Sequence, residues 1–258
     1  MLLKDKVIII SGVGPGMGQS LARIAAAEGA KVGLGARNKA FIDGVADEIR
    51  AAGGEAVAVP TDVSSADQCR ALAAATEKAF GRIDGLVNSA YIHGPWQTTD
   101  EVDVSEFAAV YDVNCLGALR MAQACLPALK KTKGAIANVS TQSTVDPFPG
   151  EGAYGTAKGG LNALTRHMAK DFGRHGIRVN LTRMGWIGGA PVFGYIDSQV
   201  AAGRDRDAVV GEITARIALG IIPPEEDCAK AVLFLVSDYS KVMSGASVDV
   251  NGGQYMAP

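Results

Sequence analysis

Short runs of apolar residues alternate with amphipathic segments along most of the chain. Short runs rich in Val, Ile and Ala are typical of strands buried on both faces of a sheet, and apolar residues repeating every three to four positions are typical of helices. The predicted strands cover residues 6–10, 32–35, 55–59, 86–88, 135–139, 177–181 and 247–250. The predicted helices cover 16–27, 39–52, about 64–80, 104–131 with a bend near Asn114, 153–172 and 225–237. This alternation predicts one α/β domain, residues 1–258, with a doubly wound parallel sheet of about seven strands and helices on both faces.

The segment 188–222 interrupts this alternation between the sixth strand and the next sheet-packing helix. Its pattern is helical but includes a charged run at residues 204–207. Long inserts in compact folds are usually lids or binding loops. We expect this segment to cover a binding site.

Composition and charge narrow the class of protein. The 258 residues are 48% apolar and 20% charged, and the net charge is −2. Such a chain has no electrostatic footprint for nucleic acid or an anionic membrane. The apolar run near the N-terminus is too short for a signal peptide or a membrane span. We expect a cytoplasmic protein whose scattered cysteines are small, reduced core residues: Cys69, Cys115, Cys125 and Cys228.

Tyr154 and Lys158 are the first candidate for chemistry. They stand four residues apart in a predicted helix, so their side chains project from the same face. An ammonium beside a phenol favours the phenolate, which predicts a tyrosine pKa lowered from about 10 towards neutrality. Such a tyrosine could give or take a proton at neutral pH. Such a pair occurs by chance in many helices, so a catalytic interpretation needs support from other motifs in the chain.

A glycine-rich turn follows the first predicted strand and leads directly into a helix. Glycines at such a place let a pyrophosphate approach the free N–H groups of the helix N-terminus, although a merely flexible loop is the alternative. The candidate cofactor-binding residues of the turn are Gly12, Gly14, Gly16, Met17 and Gly18.

Arg37 stands at the end of the second predicted strand, where dinucleotide-binding folds meet the adenosine ribose. An acid there suits a free 2′-hydroxyl, and a base suits a 2′-phosphate. The acid is missing and Arg37 is present, which predicts NADP(H) in preference to NAD(H). The alternative is a solvated surface arginine.

Together with Asn88, Asn114 and a hydroxyl residue at 141, these motifs resemble the main branch of the short-chain dehydrogenase/reductase family. The resemblance covers essentially the whole chain and implies a single NAD(P)-binding Rossmann-type domain. It implies that Asp62 and Val63 meet the adenine, although Asp62 could instead cap a helix. Further cofactor contacts are implied for Asn88, Ala90, Gly185, Ile187, Tyr154 and Lys158.

The same resemblance implies a catalytic set. Tyr154 is the acid/base, and Lys158 both modulates its pKa and binds a ribose hydroxyl. Thr141, thirteen positions before Tyr154, orients the substrate oxygen in place of the family's serine. Ser140 and Ser143 are alternatives for that hydroxyl role. Asn114 supports a water that links Lys158 to solvent.

The implied activity is NAD(P)-dependent interconversion of a secondary alcohol and a ketone. The alternative is a dinucleotide-binding regulator or scaffold with little turnover, because several family residues are replaced. Tyr91 stands for a glycine beside the cofactor, and Met184 and Gly189 stand for a proline and a threonine. Enoyl reductases of the fold usually have six residues between tyrosine and lysine, and halohydrin-cleaving relatives lack this lysine. Neither pattern matches the chain.

The substrate pocket is expected to form from residues 91–96, 142–148 and 188–222. Four aromatic residues could supply apolar walls for an apolar or cyclic alcohol or ketone, although two could simply be core: Phe148, Trp186, Phe193 and Tyr195. No metal is expected, since the histidines lack partners at metal spacing; each is interpreted as a structural or surface residue, and His93 is the only candidate to face the substrate. A homotetramer is implied by the family resemblance.

Overall fold

The computed structural model describes residues 1–256 and contains one seven-stranded parallel sheet in the order β3-β2-β1-β4-β5-β6-β7. All seven strands lie where the apolar runs predicted them, and the predicted fold class is confirmed. The strands are β1 Val7–Ser11, β2 Lys31–Ala36, β3 Glu55–Pro60, β4 Gly85–Asn88, β5 Ala135–Thr141, β6 Arg178–Met184 and β7 Ser247–Val250.

Helices connect the strands and cover both faces of the sheet. They are α1 Met17–Ala27, α2 Lys39–Ala51, α3 Ala66–Phe80, α4 Val104–Tyr111, α5 Gly117–Thr132, α6 Gly152–Gly173, α7 Ala190–Ala201, α8 Arg206–Thr214 and α9 Glu225–Val236. Within the described residues, no helix is both long and apolar enough to cross a membrane.

Alternation along the central strands divides the core into two layers. Ile8 and Ile10 of β1 pack in one cluster with α1, α2 and α9, whereas Ile9 packs in the other with α3, α5 and α6. Successive side chains of a strand point to opposite faces, so a strand covered on both sides is apolar over most of its length. This explains why all five residues of β1 are buried.

The predicted long helix at 104–131 is divided into α4 and α5 by a π-helical segment, Asp112–Leu116. Asn114 lies in this segment and is 1% exposed. Segments of π-helix inside α-helices bend the axis and are frequent at functional sites. The position of the predicted bend thus coincides with this wider turn.

The strand order reverses direction between β1 and β4, which are neighbours in the sheet. Ligands of open α/β sheets bind outside the carboxyl ends of the strands at such a switch point. Ser11 and Asn88 end β1 and β4 there, and Thr141 and Met184 end β5 and β6 at the same edge. The sheet thus brings the predicted site residues together although they are far apart in sequence.

The insert at 188–222 carries α7 and α8 and a small apolar cluster of its own. Ile196, Val209, Ile213 and Ile217 are buried in this cluster, and Trp186 packs against it. The insert is therefore held together by its own apolar contacts.

Candidate active site

The glycine-rich turn comes into direct contact with the backbone after β4. Gly12 has φ +88°, and a Cβ on it would lie 2.3 Å from the backbone nitrogen of Ala90. No side chain caps the N-terminus of α1, and no acidic residue lies in its first turn. Gly16 is the N-cap, and Met17 and Gly18 begin the helix. Such an uncapped N-terminus favours an anion.

Asn88 links three neighbouring strands, β1, β4 and β5. It is buried, accepts a hydrogen bond from the Ser11 hydroxyl over 3.3 Å, and donates to Asn138 Oδ1 over 2.9 Å. The oxygen and the nitrogen of its side-chain amide therefore both form hydrogen bonds that stabilise this edge of the sheet.

Arg37 and Asp62 lie at the predicted adenosine end of the cleft. Arg37 is exposed just after β2. Asp62 accepts hydrogen bonds from the Ser64 hydroxyl, 2.7 Å, and the Ser64 nitrogen, 2.9 Å, and these bonds hold its pKa below the ordinary value. The side chain of Asp62 therefore stabilises the turn before α3, as the capping interpretation expects. Val63 beside it is buried against Gly117.

At one departure from the family pattern, Gly189 in the loop after β6, an acidic side chain lies close to the backbone. A Cβ on Gly189 would lie 2.7 Å from Oε2 of Glu225, whose other carboxylate oxygen accepts from the Ser20 hydroxyl over 2.7 Å. A threonine at this position would require the flexible carboxylate of Glu225 to move. Gly185 packs closely on Asn251, and Ile187 lies partly buried against the core.

Lys158 is a buried ammonium one helical turn after Tyr154. It is 2% exposed, and its Nζ donates to the Val139 carbonyl over 2.8 Å. Nζ lies 5.9 Å from the ring centroid of Tyr154 and 6.0 Å from that of Tyr91. Burial lowers the pKa of Lys158 to about 8, because removal from water disfavours the charged form.

The pKa of Tyr154 is raised, and the predicted lowering is wrong for this structure. Burial of the phenol is the main cause, and the nearby Tyr91 and Glu151 raise the pKa further. A hydrogen bond with Thr141 opposes this rise. The prediction considered the ammonium alone and neglected desolvation, which here has the larger effect.

Aromatic rings enclose Tyr154 on two sides. The His93 ring stacks on the Tyr154 ring with centroids 4.8 Å apart and planes 20° apart. The Trp96 ring stacks on the His93 ring with centroids 4.1 Å apart. The Tyr91 ring is tilted against the Tyr154 ring with centroids 6.1 Å apart. His93 is thus the histidine in contact with the candidate catalytic tyrosine.

The three candidate hydroxyl residues have different surroundings. Ser140 is buried and donates to Asn162 Oδ1 over 2.5 Å. Thr141 is the one that faces the Tyr154 phenol, and its Oγ1 lies 3.2 Å from Ser143 Oγ. The Ser143 hydroxyl donates to Glu151 Oε2 over 2.6 Å.

Asn114 fastens the loop that carries His93. Its Oδ1 accepts from the Ile92 nitrogen and its Nδ2 donates to the Ile92 carbonyl, both over 2.8 Å. The π-helical segment thereby holds the backbone next to the aromatic stack.

The predicted apolar walls are only partly assembled. Phe148, Phe193 and Tyr195 are exposed, and Trp186 is tilted against Tyr195 with centroids 5.4 Å apart. An open cavity of about 610 Å³ has Ser143, Phe148 and Glu151 in its lining. Within residues 1–256 there is no cluster of three or more potential metal ligands, and the four cysteines are free and buried.

Comparison with known proteins decides the family. A short-chain dehydrogenase/reductase model described as enoyl-(acyl carrier protein) reductase matches residues 12–254. The chain belongs to the short-chain dehydrogenase/reductase family. This assignment confirms the resemblance seen in the motifs.

Relatives within the short-chain dehydrogenase/reductase family match over almost their whole length. A meso-2,3-butanediol dehydrogenase of Serratia marcescens is 32% identical, over 98% of this chain and 96% of the relative. An L-rhamnose 1-dehydrogenase (NAD(P)(+)) of Azotobacter vinelandii is 33% identical, over 99% of each chain. A short-chain type dehydrogenase/reductase structure from Mycobacterium ulcerans has a TM-score of 0.90 at 24% identity, covering 98% of this chain and 91% of that chain, and shows the shared fold.

The sequence motifs did not identify Glu151 as a residue of the site. Its Oε1 lies 3.3 Å from His93 Nε2, and its Oε2 accepts from Ser143. The available signal was its spacing, since Glu151 precedes Tyr154 by three residues and so lies close to one helical turn away. The hydrogen bonds that give it importance join segments that only the fold brings together.

Proposed function

We propose that the chain is an NAD(P)-dependent oxidoreductase that interconverts a secondary alcohol and a ketone, with Tyr154 as the acid/base. The observation that carries this proposal is the meeting of Tyr154, Thr141 and buried Lys158 at the carboxyl edge of the sheet. The glycine turn reaches the same edge through the contact of Gly12 with Ala90.

The cofactor in this proposal is NADP(H) in preference to NAD(H). When bound, its nicotinamide ring would give the hydride in ketone reduction and accept it in alcohol oxidation. The uncapped N-terminus of α1 suits the pyrophosphate, and exposed Arg37 suits a 2′-phosphate. The residues proposed to hold the cofactor are Gly12, Gly14, Gly16, Met17, Gly18, Arg37, Asp62, Val63, Asn88, Ala90, Tyr154, Lys158, Gly185 and Ile187.

The proposed proton chemistry takes place at the Tyr154 oxygen. In the reductive direction the phenol donates its proton to the substrate oxygen, and in the oxidative direction the phenolate accepts one. Thr141 positions that substrate oxygen through its hydroxyl. Lys158, with a pKa of about 8, is mostly charged at pH 7 and favours the phenolate. Asn114 supports a water that connects Lys158 with solvent.

The substrate class, the cellular location, the assembly and the role of the insert are also proposals. Two of the relatives are named for butanediol and rhamnose, which supports a secondary alcohol as substrate. The exposed aromatic side chains near the site support an apolar or cyclic part of that substrate. We further propose a cytoplasmic homotetramer of one-domain subunits, with the insert at 188–222 acting as a lid.

A substrate screen tests this function. The purified chain is incubated with NADP⁺ or NAD⁺ and a panel of simple secondary alcohols, diols and sugars, and with the reduced cofactors and matching ketones. Cofactor absorbance should change with at least one substrate and more readily with the NADP pair. Calorimetric binding of cofactor without turnover across the panel would contradict the proposal and favour a regulator, which the replacements at Tyr91, Thr141 and Gly189 already suggest as the second candidate.

A further inference from the structure

The first turns of α1, α7 and α9 meet at one corner of the proposed cofactor cleft. A Cβ on Gly16, the N-cap of α1, would lie 4.0 Å from Cδ of Pro191 in the first turn of α7. The nitrogen of Gly188, which precedes α7, donates to the carbonyl of Pro223, which precedes α9, over 2.8 Å. Free N–H groups and helix dipoles make such a corner favourable for negative charge.

The chain already supplies a negative charge at this corner, the carboxylate of Glu225 in the first turn of α9. Its Oε1 accepts a hydrogen bond from the Ser20 hydroxyl of α1 over 2.7 Å. Its Oε2 would lie 2.7 Å from a Cβ on Gly189 and 3.5 Å from a Cβ on Gly16. This oxygen is therefore within about 5 Å of both glycine Cα atoms, since a Cα–Cβ bond adds about 1.5 Å. None of the ion pairs within residues 1–256 includes Glu225, so its charge has no cationic partner there.

The glycine at position 189 leaves room for this carboxylate. The family pattern has a threonine there, and any side chain at this position would require the Glu225 carboxylate to move. A threonine hydroxyl can donate a hydrogen bond to a phosphate oxygen, whereas a carboxylate can only accept. At this corner the chain thus replaces a neutral donor with a charged acceptor.

We propose that Glu225 lowers the affinity of the cleft for its cofactor, because its carboxylate opposes the negative charge of the bound pyrophosphate. This inference rests on the proposed function, which puts the pyrophosphate at the N-terminus of α1. Like charges at close range repel, and a carboxylate has no hydrogen to offer a phosphate oxygen. The consequence is a dinucleotide that dissociates more readily than the glycine turn alone would permit.

The effect of Glu225 can be separated from that of Arg37. The pyrophosphate is common to NADP⁺ and NAD⁺, so the carboxylate should oppose both cofactors equally. Arg37 is proposed to contact the 2′-phosphate, which only NADP⁺ carries. A change in Glu225 should therefore shift both Kd values by the same factor.

Glu225→Gln tests the charge at constant shape. The amide oxygen of the glutamine can still accept from Ser20, so the side chain keeps its anchor. Calorimetry at low ionic strength should give Kd values for NADP⁺ and NAD⁺ that are both about tenfold lower, the size expected for one like charge in a partly solvated cleft. In about 1 M salt, where the Debye length is about 3 Å, most of this gain should disappear. Glu225→Ala, which removes the carboxylate without replacing it, should lower both Kd values as well.

Glu226→Gln is the matched control, because Glu226 is the exposed neighbour in the same first turn and loses the same charge. Its Kd values should stay within about twofold of those of the parent chain, since an exposed charge is screened.

Unchanged Kd values in both Glu225 variants would overturn the proposal. Larger values would also overturn it, and would mean that the carboxylate accepts a hydrogen bond from the cofactor. An equal gain in Glu226→Gln, or a gain that persists in full at 1 M salt, would overturn the repulsion by this particular carboxylate. Tighter dinucleotide binding in Glu225→Gln without turnover in the substrate screen would contradict the proposed function and support this inference, whereas turnover with unchanged Kd values would do the reverse.

Discussion

Lys158 gives the sharpest stability prediction, because it is a buried cation inside a folded helix. The substitution is Lys158→Met, which keeps a long side chain of similar shape and removes the charge. Lys158 is 2% exposed, and burial lowers its pKa from 10.5 to about 8. Between those two values the folded chain binds fewer protons than the unfolded chain, so the stability contributed at this position increases as the pH rises.

The magnitude follows from the size of that shift. Below about pH 8 both states carry the charge, and the folded state bears the full penalty of about 3 kcal/mol. Removing the ammonium also deprives the Val139 carbonyl of its donor, which costs about 1 kcal/mol. Lys158→Met should therefore raise the free energy of unfolding by about 2 kcal/mol at pH 7. Above about pH 10.5 the gain should disappear, because the native lysine is then neutral in both states.

Urea denaturation of the cofactor-free chain at several pH values measures this change. Lys170→Met is the matched control, because Lys170 is an exposed lysine of the same helix. Its effect should stay within about 0.5 kcal/mol at every pH. A Lys158→Met chain that is no more stable than the parent at pH 7, or a gain that does not diminish by pH 10.5, would refute the reasoning.

Substitutions at two further positions test the cofactor and substrate contacts. Arg37→Ala should raise the Kd for NADP⁺ about tenfold or more and change the Kd for NAD⁺ little, because only the former loses a charge-assisted bond; Arg70→Ala is the control, and calorimetry showing equal losses for the two cofactors would argue against a phosphate contact. Thr141→Ser should keep or raise kcat, whereas Thr141→Val should lower it about a hundredfold by removing the hydroxyl; full activity in Thr141→Val with a loss in Ser143→Ala would move the hydroxyl role to Ser143.

The fold was largely predictable because its signals are local. Buried parallel strands must be apolar on both faces, so β1 and its neighbours are visible as continuous apolar runs. An irregularity near Asn114 was predicted as a bend, but its π-helical form was not, because the sequence pattern alone does not reveal the width of a helical turn. The helical pattern of the insert was visible in the sequence. The packing of its two helices against each other was not.

The sequence predicted which residues belong to the site but not their electrostatic properties. Spacing and motif brought together Tyr154, Lys158 and Thr141, and the fold places them at one edge. The electrostatics were not predictable, because desolvation depends on what surrounds a group and not on its sequence neighbours. The raised pKa of Tyr154 and the hydrogen bonds of Glu151 arise from contacts between separate segments.

The central claim is that Tyr154 transfers the proton in a cofactor-dependent redox reaction. The most direct measurement compares Tyr154→Phe with the parent chain in steady-state turnover of an alcohol found by the substrate screen, together with calorimetric cofactor binding. The account predicts that turnover falls by about a hundredfold or more, as expected for loss of a general acid/base, while the Kd for the cofactor stays within about twofold, since Lys158 and the glycine turn remain. Turnover close to that of the parent chain in Tyr154→Phe, with folding and cofactor binding intact, would contradict it.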